Sequence, residues 1–191
     1  ARVLARFGVT PNMVTVAGTV ATVAIALICI PQGWIWQGGI ALAVVMFGDS
    51  VDGTLARMTT GGTRFGAFLD STLDRLGDGA VFGSLTAYAV FQMDNSFVRT
   101  WAIIAGICSI VGAAAVPYAR ARAESVGVVA KLGIAERTDR LIIGMGTAIL
   151  MSLGLPEWVF AAGLTWVAFA SFVTVCQRIW FTARHIDEGT Q

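Results

Sequence analysis

From Pro11 to Gly48 the chain runs without a single charged residue. A helix that crosses the hydrocarbon core of a bilayer needs roughly 20 mostly apolar residues. The stretch therefore holds one such helix and most of a second, with Pro31-Gln32-Gly33 as the break between them. Composition points the same way: of 191 residues 56% are hydrophobic and 13% charged, against about 25% charged in a soluble domain. That excludes intrinsic disorder and a water-exposed globular surface. Thirteen Lys and Arg against twelve Asp and Glu give a net charge of +1. With no basic tail, no nucleic-acid partner is expected. The chain reads as an all-α polytopic membrane protein whose surroundings are membrane lipids.

Six transmembrane helices are predicted, near 12–30, 34–58, 67–91, 99–123, 137–154 and 157–183. Thr10 is placed to cap the first and Pro11 suits its first turn. Gly154-Leu155-Pro156 ends the fifth. Connections are short, so residues 1–191 read as one transmembrane domain. The start at Ala1 without Met predicts a missing upstream segment. Arg2, Arg6, Arg57, Arg64, Arg75, Arg120, Arg122, Lys131, Arg137, Arg140, Arg178 and Arg184 fall on one side of a six-helix layout, and Arg99 alone on the other. By the positive-inside rule that side is cytoplasmic, and so are both termini of a plasma-membrane protein. Glycines inside helices (Gly18, Gly77, Gly83, Gly106, Gly112, Gly144, Gly146 and Gly163) are read as sites of close helix packing. Cys29, Cys108 and Cys176 show no metal-ligand spacing and are read as small buried hydrophobes.

The acidic residues are less ordinary. Asp49, Asp52, Asp70, Asp74 and Asp78 fall within thirty residues, all adjoining or interrupting apolar helices. Carboxylates at membrane depth are costly and face a protein interior or a wet cavity. Asp49 and Asp52 are three apart and share one helix face; Asp70, Asp74 and Asp78 are spaced by four and share another. A hairpin through Thr59-Thr60-Gly61-Gly62 brings the two faces together. Like charges so close repel and take up protons unless a cation separates them. Mg²⁺ and Mn²⁺ are hard ions suited to oxygen ligands and phosphates, and two of them can clamp a transferring phosphoryl group. Gly53 and Gly66, beside these carboxylates, let a substrate approach the backbone.

The pattern Asp49-x-x-Asp52-Gly53-x-x-Ala56-Arg57, then eight residues, then Gly66-x-x-x-Asp70-x-x-x-Asp74 resembles the full signature of the CDP-alcohol phosphotransferases. The resemblance extends over most of the chain, including Thr10-Pro11-Asn12. It implies an enzyme that displaces CMP from CDP-diacylglycerol by attack of an alcohol, in a six-helix fold that works as a homodimer. Asp49, Asp52, Asp70 and Asp74 would surround the metal, Mg²⁺ or Mn²⁺, as two ions. Asp74 would also take the hydroxyl proton. Gly53, Ala56, Arg57 and Gly66 would line the CDP pocket, with Arg57 beside the pyrophosphate.

A second polar constellation suggests the acceptor. Arg120-Ala121-Arg122-Ala123-Glu124, Lys131, Glu136-Arg137-Thr138-Asp139-Arg140 and Arg178 share the side of the aspartates. Several arginines near a metal site suit an acceptor that carries its own phosphate, while Arg122, Lys131 and Arg184 read as flanking charges. The stretch Gly61 to Arg75, Tyr118-x-Arg120-Ala121-Arg122-Ala123-Glu124 and Gly133-x-x-Glu136-Arg137-x-x-Arg140-Leu141 are similar to the actinobacterial branch of the family that uses inositol phosphate and forms phosphatidylinositol phosphate. Arg120 stands where that branch is expected to carry lysine. On this resemblance Arg120, Arg140 and Arg178 are the acceptor-binding candidates. Glycerol 3-phosphate, giving phosphatidylglycerophosphate, is the alternative acceptor. A divalent-cation transporter is the alternative outside enzymes.

Overall fold

The computed structural model describes residues 10–46, 63–134 and 136–186. Within them the chain is all helical: α1 (Pro11–Cys29), α2 (Ile35–Met46), α3 (Arg64–Gln92), α4 (Phe97–Ser125), α5 (Arg137–Ser152) and α6 (Glu157–His185). The stop and start signals act as their chemistry dictates. Thr10 accepts from the Met13 amide at 3.4 Å, with Pro11 in the first turn of α1. Gly33 and Gly154 take positive φ, 87° and 108°, where the chain leaves α1 and α5.

α4 and α6 make the most extensive helix pairing, α3 packs against α1, α4 and α5, and α5 rests on α6. Glycine lets α4 and α6 approach closely. A Cβ at Gly112 would lie 2.6 Å from the Ser171 Cβ, and one at Gly163 would run into Thr147 across the α5–α6 contact. Gly106 packs against Thr86 and Gly144 against Phe82 in the same way, whereas Gly83 and Gly146 have open space within 4 Å among the described residues. The core is centred on Phe82 and Leu85 of α3 and Phe160 and Leu164 of α6, all fully buried. Apolar side chains such as Val20, Ile107, Val111, Phe169 and Ile179 stay exposed on the outside. The cysteines follow that pattern: Cys29 and Cys108 are half-buried and Cys176 is exposed on α6, so they are not the buried hydrophobes expected.

The expectation of six transmembrane helices is corrected. Three helices among the described residues, α1, α4 and α6, are long and apolar enough to cross a membrane. α3 has the length, 29 residues, but its first half carries Arg64, Asp70, Asp74, Arg75 and Asp78. α5 has 16 residues and spans about 24 Å at 1.5 Å per residue. It also opens on Arg137, Asp139 and Arg140. α2 is apolar but has 12 described residues from Ile35 to Met46. Charge-free length alone did not separate polar, site-building helices from spanning ones. Three apolar spans make this a multi-pass membrane protein.

Candidate active site

α3 builds the acidic side of the site. Thr63 caps it, accepting from the Gly66 amide at 2.9 Å. At Gly66 a Cβ would meet Thr63 Oγ1 at 3.1 Å and Asn12 Oδ1 at 3.2 Å, so glycine lets the starts of α1 and α3 come together. From that fixed start the helical period brings Asp70, Asp74 and Asp78 onto one face. Asp70 and Asp74 are half-buried and Asp78 is 2% exposed.

α5 answers this face with Arg137. Its Nη1 lies 2.8 Å from Asp74 Oδ1 and its Nε donates to Asp78 Oδ1 at 2.8 Å. Arg75 adds a looser second cation, its Nη2 3.7 Å from Asp78 Oδ2 and 3.8 Å from Asp74 Oδ2. Burial raises the Asp74 carboxyl above its ordinary range; Arg137 opposes the shift, and Asp70 and Asp78 add to it. Burial works against the Arg137 charge as well, but Asp78 and Asp74 overcome it and hold the guanidinium above its usual value. A cavity of about 80 Å³ opens beside these groups, lined by Gly18, Thr22, Met46, Asp74, Gly77 and Arg137 among others.

The basic side lies where α4 ends, α6 ends and α5 begins. A second cavity of about 170 Å³ is lined by Arg120, Lys131, Leu132, Gly133, Glu136 and Arg178. Arg178 is fixed from behind: its Nε donates to the Leu132 carbonyl at 3.0 Å and its Nη1 to the Val116 carbonyl at 2.5 Å. Arg120 pairs with Glu124 at 2.9 Å one turn along α4. Arg140 is 3% exposed, and its Nε and Nη1 have no hydrogen-bond partner among the described residues. Burial lowers its pKa; Asp78 opposes this, while Arg75, Arg178 and Arg137 add to it. It thus feels both the acidic face and the basic cavity.

The candidates separate into three groups. Asp70 and Asp74 share the α3 face, with Gly66 at its head. Arg120 and Arg178 line one cavity, while Arg140 is buried and does not line it. Asp49, Asp52, Gly53, Ala56 and Arg57 lie outside the described residues. Two residues went unselected by sequence reasoning. Lys131, read as a flanking charge, lines the basic cavity. Arg137 clasps two aspartates; the available signal was Asp78, a buried carboxylate that needs a cation. The flanking reading suits Arg122, which is exposed. Arg184 stacks over the Trp180 ring at 3.8 Å.

The donor chemistry fits a hard divalent cation. Asp70 and Asp74 supply carboxylate oxygens one helical turn apart, and the burial that opposes the Asp74 charge is relieved by a bound cation. Among the described residues no three His, Cys, Asp or Glu side chains form a metal-binding group by themselves.

Half-buried carboxylates on α3 and a separate basic cavity, at the charged end of a helical bundle, are groups suited to binding metal and phosphate. The family profile described as CDP-alcohol phosphatidyltransferase matches residues 8–175, and the chain belongs to that family. It is 41% identical over 182 residues to the phosphatidylinositol phosphate synthase of Mycolicibacterium smegmatis, covering 94% of this chain and 80% of that one. It is 40% identical over 183 residues to the Cutibacterium acnes protein of the same name, covering 92% and 86%. Crystal structures of Mycobacterium tuberculosis phosphatidylinositol phosphate synthase superpose at 38% identity. The complex with manganese and citrate gives a TM-score of 0.86 over 95% of this chain and 86% of that one. The form with CDP-DAG bound gives 0.85 over 95% and 90%. The chain is an enzyme of the CDP-alcohol phosphotransferase class.

Proposed function

We propose that this chain transfers the phosphatidyl group of CDP-diacylglycerol to inositol phosphate, giving phosphatidylinositol phosphate and CMP. The observation that carries the reading is the pairing of the α3 carboxylate face with a separate cavity lined by Arg120, Lys131 and Arg178. One holds the reacting phosphate and the other an acceptor phosphate. The relatives named above, with CDP-DAG bound in one of them, support both substrates.

The enzyme is dependent on a divalent metal. Asp49, Asp52, Asp70 and Asp74 would hold it, as Mg²⁺ or Mn²⁺ and as two ions. When bound, it supplies positive charge to the phosphate oxygens and to the charge that builds during displacement. Gly53, Ala56, Arg57 and Gly66 would line the CDP pocket. Arg120, Arg178 and Lys131 line the cavity that would hold the acceptor phosphate; Arg140, buried and off that lining, is the further candidate, its Nε and Nη1 without a partner among the described residues. Asp74 takes the proton of the acceptor hydroxyl. The acceptor oxygen bonds to the diacylglycerol-linked phosphorus as the bond to CMP breaks.

The site faces the cytoplasm in this reading, supported by the cations at the site end of the helices and Arg99 at the other end. The chain works as one transmembrane catalytic unit and as a homodimer, supported by the family resemblance and tested by crosslinking in native membranes. The function itself is tested by CMP release from CDP-diacylglycerol and Mg²⁺ with inositol phosphate, glycerol 3-phosphate or free inositol. Metal-dependent release with inositol phosphate, abolished by EDTA, is expected. Release with glycerol 3-phosphate alone would replace the acceptor, and no release from folded protein would reopen the transporter reading.

A further inference from the structure

We infer that Arg137 is the positioning residue of the Asp74 carboxylate and that buried Asp78 anchors it; the inference rests on the role given to Asp74 above. Arg137 comes from α5 and both aspartates from α3, so the clasp joins two helices, with Arg137 and Asp78 59 residues apart in sequence. Its Nε is spent on Asp78 Oδ1 and its Nη1 on Asp74 Oδ1, both at 2.8 Å. Two donors of one planar group on two different carboxylates fix the plane of the guanidinium. Asp78 is 2% exposed, so this anchor is no surface ion pair free to swing. Breaking it would leave the buried Asp78 charge to the looser Arg75 contact at 3.7 Å.

The clasp divides the work of Asp74 between its oxygens. Oδ1 is taken by Arg137, while among the described residues the cation at Oδ2 is Arg75, 3.8 Å away. Oδ2 is therefore the oxygen left for metal or for the acceptor proton, and the orientation that presents it is set from α5. Arg137 touches no reacting atom in this account. It acts through Asp74, and a lysine cannot replace it, because one ammonium cannot make both contacts in a fixed plane.

The test measures Mn²⁺ binding and CMP release by the purified full chain, in the wild type and in Arg137→Gln, Arg137→Lys, Asp74→Asn and the Arg137→Gln, Asp74→Asn double variant. Residues that orient metal ligands typically change affinity or rate by about ten- to a hundredfold. Arg137→Gln is expected to weaken Mn²⁺ about tenfold and to lower kcat by a similar factor or more, with the KM for CDP-diacylglycerol unchanged. Arg137→Lys is expected to stay impaired in both while melting near the wild type, which decides the matter if Arg137→Gln fails to fold. On the Asp74→Asn background the Arg137 substitution is expected to add nothing to the loss of Mn²⁺ affinity. Wild-type binding and kcat in Arg137→Gln, full rescue by lysine, or an undiminished effect on the Asp74→Asn background would each overturn the inference. Failure of the wild type itself to bind Mn²⁺ and release CMP overturns the functional reading instead, and the inference with it.

Discussion

Arg178 Nε donates to the Leu132 carbonyl at 3.0 Å, so the end of α6 holds the loop that carries Lys131. The same guanidinium lines the basic cavity. Removing it takes away a cation and loosens the cavity wall together. Arg178→Ala is expected to raise the KM for inositol phosphate about tenfold or more, the scale of one charge-assisted hydrogen bond. The KM for CDP-diacylglycerol is expected to stay within about twofold, since this cavity is separate from the α3 face. Equal rises in both, measured by initial rates of CMP release, would remove Arg178 from acceptor binding.

Lys131 and Arg122 offer a matched comparison on the same side of the bundle. Lys131 lines the cavity, while Arg122 is exposed and does not. Lys131→Gln is expected to raise the acceptor KM roughly threefold to tenfold, an effect that shrinks in high salt. Arg122→Gln is expected to leave it unchanged. Identical responses would mean that general positive charge at this end, rather than the cavity, attracts the acceptor.

Asp74→Asn keeps the shape of the side chain and removes its charge. Binding of CDP-diacylglycerol, followed by equilibrium titration in detergent, is expected to be largely kept. Turnover is expected to fall about a hundredfold to ten-thousandfold, the usual contribution of a general base. Normal turnover in this variant would take the proton-accepting role away from Asp74.

The helix packing carries its own prediction. A valine at Gly112 places its Cβ 2.6 Å from the Ser171 Cβ, and the α4–α6 pair must part to admit it. Gly112→Val is expected to cost about 1–3 kcal/mol, the usual penalty of overpacking, and to lower the melting temperature in detergent. Gly146 has nothing within 4 Å of an added Cβ among the described residues. Gly146→Ala is expected to hold or raise the melting temperature through helix propensity.

Much of this architecture was legible because its signals are local. Thr10-Pro11 begins α1, Pro31-Gln32-Gly33 ends it and Gly154-Leu155-Pro156 closes α5, each acting through a cap, a missing amide or a positive φ within a few residues. The shared face of Asp70 and Asp74 follows from helical period alone. The number of membrane spans did not follow. Its length lets α3 pass for a spanning helix, whereas its first half carries the charged residues of the site. The Arg137 clasp was also hidden, since nothing local tells Arg137 to cross to Asp78 rather than point to water. The cavity position of Lys131 was hidden for the same reason: it depends on a loop held from α6 by Arg178. Asp49, Asp52, Gly53, Ala56 and Arg57, legible as a motif, lie outside the described residues.

A competition measures the identity of the acceptor most directly. Purified protein receives CDP-diacylglycerol and Mg²⁺ with equal concentrations of inositol phosphate and glycerol 3-phosphate, and the lipid products are resolved by mass. Phosphatidylinositol phosphate as the dominant product, lost on adding EDTA, is the predicted result. Phosphatidylglycerophosphate as the dominant product would contradict the account.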